Sequence, residues 1–204
     1  MRGNKKSLGL LVYVLIAAVV LGVGYATIAA IELNIEGTAT ASGKQDNFVV
    51  EFNDAAGKIT ISDTASNAIK NFDETATGGN KTNAYIDTAN DSTKRTAKFD
   101  LYGFTTINET ATVTYTVINK STDLKAELCE SDITVTGGSD TTFRTVASLP
   151  SAVEKDTDKC VTINANGGET TIQVVTTLKT TPAVDDVSAT DLKVVFRAKP
   201  VANR

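Results

Sequence analysis

The chain has 204 residues, which is enough for one β-sandwich of ordinary size and a leader but short for two domains. Its net charge of −4 comes from 24 acidic and 20 basic residues, so it lacks the strongly basic balance of proteins that bind nucleic acid. It has no histidine, which excludes Ser-His-Asp and Cys-His catalytic sites and any zinc site with a histidine ligand. We therefore expect no enzymatic activity, no cofactor and no nucleic-acid partner.

The N-terminus has the organisation of an export signal. Three basic residues lie within the first six positions, an apolar run covers residues 8–31, and the first acidic residue is Glu32. This pattern predicts a signal peptide that is cleaved after Ala26, with Ala30 as the second choice. The apolar run is also long enough to cross a bilayer as a helix, so retention as a membrane segment stays open. Both alternatives place the remaining chain outside the cell.

Three parts are predicted along the chain: a signal peptide or membrane segment at 1–26, an extended strand at 27–42, and one β-domain at 43–204. Without the leader, the chain has 17 basic and 24 acidic residues, a net charge of about −7. No run of basic residues follows the leader. Such an acidic surface repels phosphate backbones, which again argues against nucleic acid as a partner.

The extended segment after the leader alternates with the period of a β-strand. Ile31, Leu33 and Ile35 fall on one face, and their polar neighbours fall on the other. The apolar face needs a core, which belongs either to the strand's own sandwich or to a neighbouring subunit. We expect the second alternative and predict assembly as the function.

The rest of the chain predicts short strands separated by turns rich in Gly, Asn, Asp and Ser. Strands are expected at 47–53, 58–62, 84–87, 96–102, 108–118, 124–128, 132–136, 143–147, 159–164, 170–178 and 188–201. We expect the first two to form a hairpin, and a short helix at 66–72. Strands at this spacing, without a long amphipathic helix beyond the leader, predict an all-β antiparallel sandwich.

Cys129 and Cys160 are the two cysteines of the chain, and they are not arranged as a CxxC motif. In an exported protein, an even number of cysteines predicts a structural disulfide. The alternative is a pair of unbonded, buried thiols.

Carboxylate pairs are the remaining candidates for chemistry, because phosphate-binding loops and Gly-x-Ser-x-Gly motifs are missing. Paired carboxylates serve glycoside hydrolysis or calcium binding, but in turns they are usually solvated turn formers. We favour the turn-forming role for all three pairs and predict no catalytic or metal-binding residue. The pairs are Glu130 with Asp132, Asp156 with Asp158, and Asp185 with Asp186.

Two stretches together resemble a known family. Residues 21–41 (LGVGYATIAAIELNIEGTATA) resemble the leader and first strand of TasA- and camelysin-like exported proteins of Gram-positive bacteria. Residues 108–128 (NETATVTYTVINKSTDLKAEL) are similar to the strand–turn–strand core of that family. The long apolar run and the cysteine pair depart from the family pattern. The absence of histidine contradicts the metalloprotease label that some relatives carry.

The resemblance implies an Ig-like or jelly-roll sandwich whose subunits form extracellular fibres of a biofilm matrix. In such fibres the N-terminal strand of one subunit fills a groove in the next subunit. Ile31, Leu33 and Ile35 would then be the donor-strand anchors of a head-to-tail homopolymer. The implied partners are further copies of the chain, a signal peptidase, an assembly factor, and the membrane before cleavage.

Two other functions stay open at this point. A type IV pilin-like subunit would retain the apolar helix as the core of its filament. A membrane-anchored monomeric adhesin would use the sandwich to bind a ligand. The N-terminus of the mature protein separates these alternatives, because each predicts a different first residue.

Overall fold

The computed structural model describes residues 48–63, 72–77, 81–138, 141–155, 157–182 and 187–201. Within these ranges the chain is all-β, and every pair of neighbouring strands is antiparallel. The strands are β1 (Val50–Phe52), β2 (Ile59–Asp63), β3 (Asn83–Ile86), β4 (Thr96–Phe104), β5 (Thr110–Asn119), β6 (Lys125–Cys129), β7 (Ile133–Thr136), β8 (Phe143–Ser148), β9 (Val153–Lys155), β10 (Asp158–Ile163), β11 (Gly168–Leu178), β12 (Val187–Phe196) and β13 (Lys199–Val201).

The described strands form three sheets. In the first sheet, β1 and β2 pair with the same side of β5, and β11 and β8 follow on its other side. The second sheet has the order β3, β4, β12, β7, and the third has the order β13, β6, β10, β9. A 3-10 turn, Glu130–Asp132, joins the third sheet to the second.

The core lies between the first and second sheets, as in a β-sandwich, and Leu128 and Ile163 of the third sheet also belong to it. Alternate residues of the long strands point into it, and the two sheets meet through aromatic rings. Phe52 of β1 contacts Phe196 of β12 with ring centroids 4.8 Å apart. Tyr115 of β5 lies 6.3 Å from Phe99 of β4, and its hydroxyl donates a hydrogen bond to the backbone carbonyl of Lys98. The buried hydroxyl is thereby satisfied, as a core tyrosine requires.

The predicted alternation of β5 is confirmed. Val113, Tyr115 and Val117 are fully buried, whereas the threonines between them lie on the outer face. β-branched residues suit both faces, because they pack well in the core and threonine remains compatible with water. The predicted strands near 84–87, 96–102 and 170–178 are present as β3, β4 and β11.

The predicted hairpin of the first two strands is wrong. β1 and β2 do not pair with each other but lie one after the other along β5. The turn between them is an excursion, in which the chain leaves the edge of β5 after β1 and returns to the same edge at β2. Asn53 N–H donates to the carbonyl of Thr116, and Thr116 N–H donates to the carbonyl of Lys58. Both ends of the turn are therefore held by one residue of β5, and the chain continues in its original direction.

The predicted strand at 188–201 is also wrong as a single element. It is divided into β12 in the second sheet and β13 in the third. β12 contains a bulge between Ala189 and Leu192, where Asp191 has a φ of 57°. Gly137 is required beside this bulge, because a Cβ atom there would lie 1.8 Å from the backbone oxygen of Asp191.

Some predicted segments lie outside the described residues. These are the leader, the alternating strand at 31–36 and most of the predicted helix at 66–72. No helix within the described part of the chain has the length and apolar character needed to cross a membrane.

Candidate functional site

The predicted disulfide is confirmed. Cys129 at the end of β6 lies directly opposite Cys160 of β10, with the Cα atoms 4.0 Å apart and the two sulfurs bonded. Both cysteines are more than nine-tenths buried. The carboxylate of Glu127 is close to the two sulfurs, but a disulfide offers no thiolate to a metal ion, and Glu127 forms an ion pair with Lys155. The cysteines therefore join two strands of the third sheet.

The predicted carboxylate pairs contribute to the structure wherever they are described. Glu130 accepts a hydrogen bond from the backbone N–H of Leu149 at 3.0 Å, and Asp132 forms an ion pair with Lys199 at 3.0 Å. Asp158 accepts a hydrogen bond from the hydroxyl of Ser131, which lowers the pKa of its carboxyl. Asp156, Asp185 and Asp186 lie outside the described residues.

A charged network covers the outer side of β1. Glu51 is buried and accepts a hydrogen bond from Lys120 Nζ at 2.6 Å. Lys94 Nζ lies 2.6 Å from a carboxylate oxygen of Asp54, and this contact lowers the pKa of Asp54 and raises that of Lys94. Arg95 donates from Nε to the carbonyl of Val50, and burial lowers its pKa. These contacts join the first strand and Asp54 after it to the loop before β4, and join Glu51 to Lys120 directly after β5.

The charged groups of two further pairs are held in the same way. Lys98 Nζ lies 2.8 Å from Asp87, and Lys58 Nζ lies 2.6 Å from Glu169. Hydrogen bonds from these lysines lower the pKa of both carboxyls. General acid–base catalysis at neutral pH needs shifts in the opposite direction, towards pH 7. These pairs therefore act as structural ion pairs.

The open edges of the sheets are the candidate assembly sites, because an edge strand presents unpaired backbone groups to another chain. β7 is one such edge: among the described strands it pairs only with β12. Its side chains alternate, with Ile133 and Val135 half-buried against the core and Thr134 and Thr136 exposed.

Two cations flank this edge on the outer face of the second sheet. Lys193 and Arg197 are exposed and follow the alternation of β12, while Val194 and Phe196 between them are fully buried. Together with residues of β7 they line a shallow groove of about 390 Å³. The sequence signal for this site was available in the spacing of Lys193 and Arg197, but their position beside an open edge requires the fold.

The predicted donor-strand anchors Ile31, Leu33 and Ile35, and the predicted cleavage site after Ala26, lie outside the described residues. They stay predictions. No family model, curated protein or solved structure matches the chain.

Proposed function

We propose that this protein is the structural subunit of an extracellular filament, such as a fibre of the cell surface or biofilm matrix. Its N-terminal strand pairs with a sheet edge of the next subunit, so that the polymer grows head to tail. The sandwich is of the Ig-like or jelly-roll type. The observation that carries this proposal is an alternating segment at 31–36, between an apolar leader and the first described strand of an antiparallel sandwich.

The physical basis is strand addition. An added strand satisfies the backbone groups of an open edge, and every second side chain enters the partner's core. Because the donor and the acceptor are different surfaces of the same chain, the contact does not close on itself and generates a filament. The disulfide between Cys129 and Cys160 is consistent with an oxidising, extracellular location.

The energy of the contact depends strongly on its three apolar anchors. Full burial of Ile31, Leu33 and Ile35 contributes about 1.5–3 kcal/mol each, or about 5–9 kcal/mol together. Association costs about 4–15 kcal/mol in lost translational and rotational freedom. The backbone hydrogen bonds and the anchors together must exceed this cost, so the loss of one anchor should weaken the contact by about 10- to 150-fold, and a buried charge in its place should weaken it further.

The test is a charge placed on either face of the donor strand. Leu33→Asp should abolish filaments in electron micrographs of the cell-surface fraction while the purified monomer keeps its β-rich circular dichroism spectrum. Asn34→Asp adds the same charge to the opposite face and should still form filaments. If the Leu33→Asp protein unfolds, the segment belongs to its own core. Filaments in the Leu33→Asp fraction would contradict strand exchange.

Mass spectrometry of the mature N-terminus separates the alternatives. A first residue near Thr27, together with filaments, supports strand exchange between exported subunits. The unbroken apolar run at 8–31 favours a type IV pilin-like subunit as the second candidate, and that subunit should begin near Leu10. An intact Met1 without filaments would leave a membrane-anchored adhesin and would contradict assembly.

A further inference from the structure

We infer that β7 is the edge that accepts the N-terminal strand of the next subunit, an assignment that rests on the proposed function. Ile133 and Val135 pack against the core but are only half-buried, and among the described strands β7 pairs with β12 alone, so the backbone groups of its other edge are open to pairing. An added strand with alternating apolar residues would cover them. Ile31, Leu33 and Ile35 of a second copy have this alternation.

The other described edges are less suited to strand addition. β13 contains Pro200, which has no N–H to donate. β9 is exposed at all three of its residues and offers no core to an added strand. The side of β3 is occupied by a bridge between Asp73 and Asn83. The edge formed by β1 and β2 is interrupted by the excursion at 53–58.

The edge at β8 is continuous but differs in its side chains. Arg144 and Val146 of β8 point outwards, and its positions on the other face are Phe143, Thr145 and Ala147. Phe143 is already buried, and threonine and alanine offer less apolar surface than Ile133 and Val135. Among the described edges, β7 is therefore the one at which an added apolar strand would bury the most apolar surface.

Charge complementarity supports the same edge. Lys193 and Arg197 are four residues apart, about 13 Å along an extended strand. Glu32 and Glu36 of the N-terminal segment are also four residues apart. When the apolar face of that segment points to the core, both glutamates point outwards, on the same face as the two cations. Two donor carboxylates thus complement two cations: their charges are opposite, they lie on the same face and they have the same spacing.

Among the described residues, the positive charges of Lys193 and Arg197 are not fully balanced by carboxylates. Lys193 lies opposite Thr136 in the strand pairing, and no described carboxylate forms an ion pair with it. Near Arg197, the one acidic neighbour in the groove is Asp132, which pairs with Lys199 at 3.0 Å. At one end of the groove, Arg197 and Lys199 therefore lie near one carboxylate, that of Asp132. At the other end, Lys193 has no ion-pair partner among the described carboxylates.

These charges give the contact its register. The donor strand would lie two strand spacings from β12, roughly 10 Å, which an extended glutamate and an extended lysine span together. A slip by one residue turns the apolar face outwards, whereas a slip by two residues keeps it inwards. The slip by two residues moves one glutamate past the cations, so the charges select one of the registers that the apolar anchors allow.

The test is a charge reversal on both sides of the contact, measured as the critical concentration for filament assembly of the mature protein. Glu32→Lys with Glu36→Lys, and separately Lys193→Glu with Arg197→Glu, should each raise the critical concentration at least about tenfold. Combining all four substitutions should return it to within about threefold of the wild type. The matched control reverses Arg144 and Lys159, two exposed cations elsewhere, and should leave it unchanged.

The outcomes distinguish the two proposals. If both reversals assemble like the wild type while Leu33→Asp does not, β7 is not the acceptor and strand exchange stands. If the combined variant fails to recover, the two charged surfaces do not face each other and the assignment is overturned. If the wild type forms no filament with its mature N-terminus, both the assignment and the proposed function are wrong.

Discussion

Removal of the disulfide should destabilise the domain by an amount that follows from the length of the loop that the bond closes. The bond joins residues 31 positions apart. For a loop of this length, the chain-entropy relation gives about 3.7 kcal/mol at 25 °C. In a domain of this size, that loss corresponds to a fall in Tm of roughly 10 °C. Because the two cysteines are buried and directly opposed on neighbouring strands, their replacement by alanine removes little else from the third sheet.

The assay is urea unfolding of the β-domain, followed by circular dichroism, for the wild type and for Cys129→Ala with Cys160→Ala. The free energy of unfolding should fall by about 3–4 kcal/mol in the variant. Reductant should shift the wild-type curve towards that of the variant and should not change the variant. A loss below about 1 kcal/mol would refute the reasoning, because the cross-link would then not restrict the unfolded chain.

Two further predictions concern pH and backbone geometry. The hydrogen bond from Lys98 lowers the pKa of Asp87, so its stabilising effect is complete above the unfolded value of about 3.9 and is lost as the pH falls through the folded pKa. Asp87→Asn should therefore flatten the loss of stability below about pH 4 in urea titrations, and an unchanged slope would count against this ion pair. Gly137→Ala should destabilise the fold by at least about 1 kcal/mol more than Gly57→Ala. Both glycines have positive φ, but of the two only Gly137 would place a Cβ atom against backbone, 1.8 Å from the oxygen of Asp191. Equal Tm values for the two variants would show that the bulge can shift at little cost in free energy.

Most of the strands could be predicted because their signal is local. In β5, apolar and polar residues alternate from Thr110 to Val117, and in β11 the apolar residues Ile172, Val174 and Leu178 fall on one face. The buried face follows directly from this period, and the structure buries the residues expected in β5, such as Tyr115. The disulfide could be predicted for a similar reason, since a chain with two cysteines allows only one intramolecular pairing.

The errors arose where one local pattern is compatible with two pairings. A turn between two short strands suits a hairpin, but it also suits an excursion from a single edge, as at 53–58. The choice depends on Thr116, which bonds both ends of the excursion and lies more than fifty residues further along the chain. The division of β12 from β13 likewise depends on pairing with β6, which the alternation of the last strand does not contain.

The candidate site likewise depends partly on local sequence patterns and partly on pairing between strands that are distant in the chain. The alternating pattern at 31–36 and the spacing of Lys193 and Arg197 are local, so both are visible in the sequence. The open edge is not, because β7 lies beside β12 although about sixty residues separate them. Apolar anchors alone permit registers that differ by two residues, and a charge pattern alone does not define an edge. Only when the edge and the charges are placed on one sheet does a single register follow, and for that reason the combined charge reversal is more decisive than the loss of any one anchor.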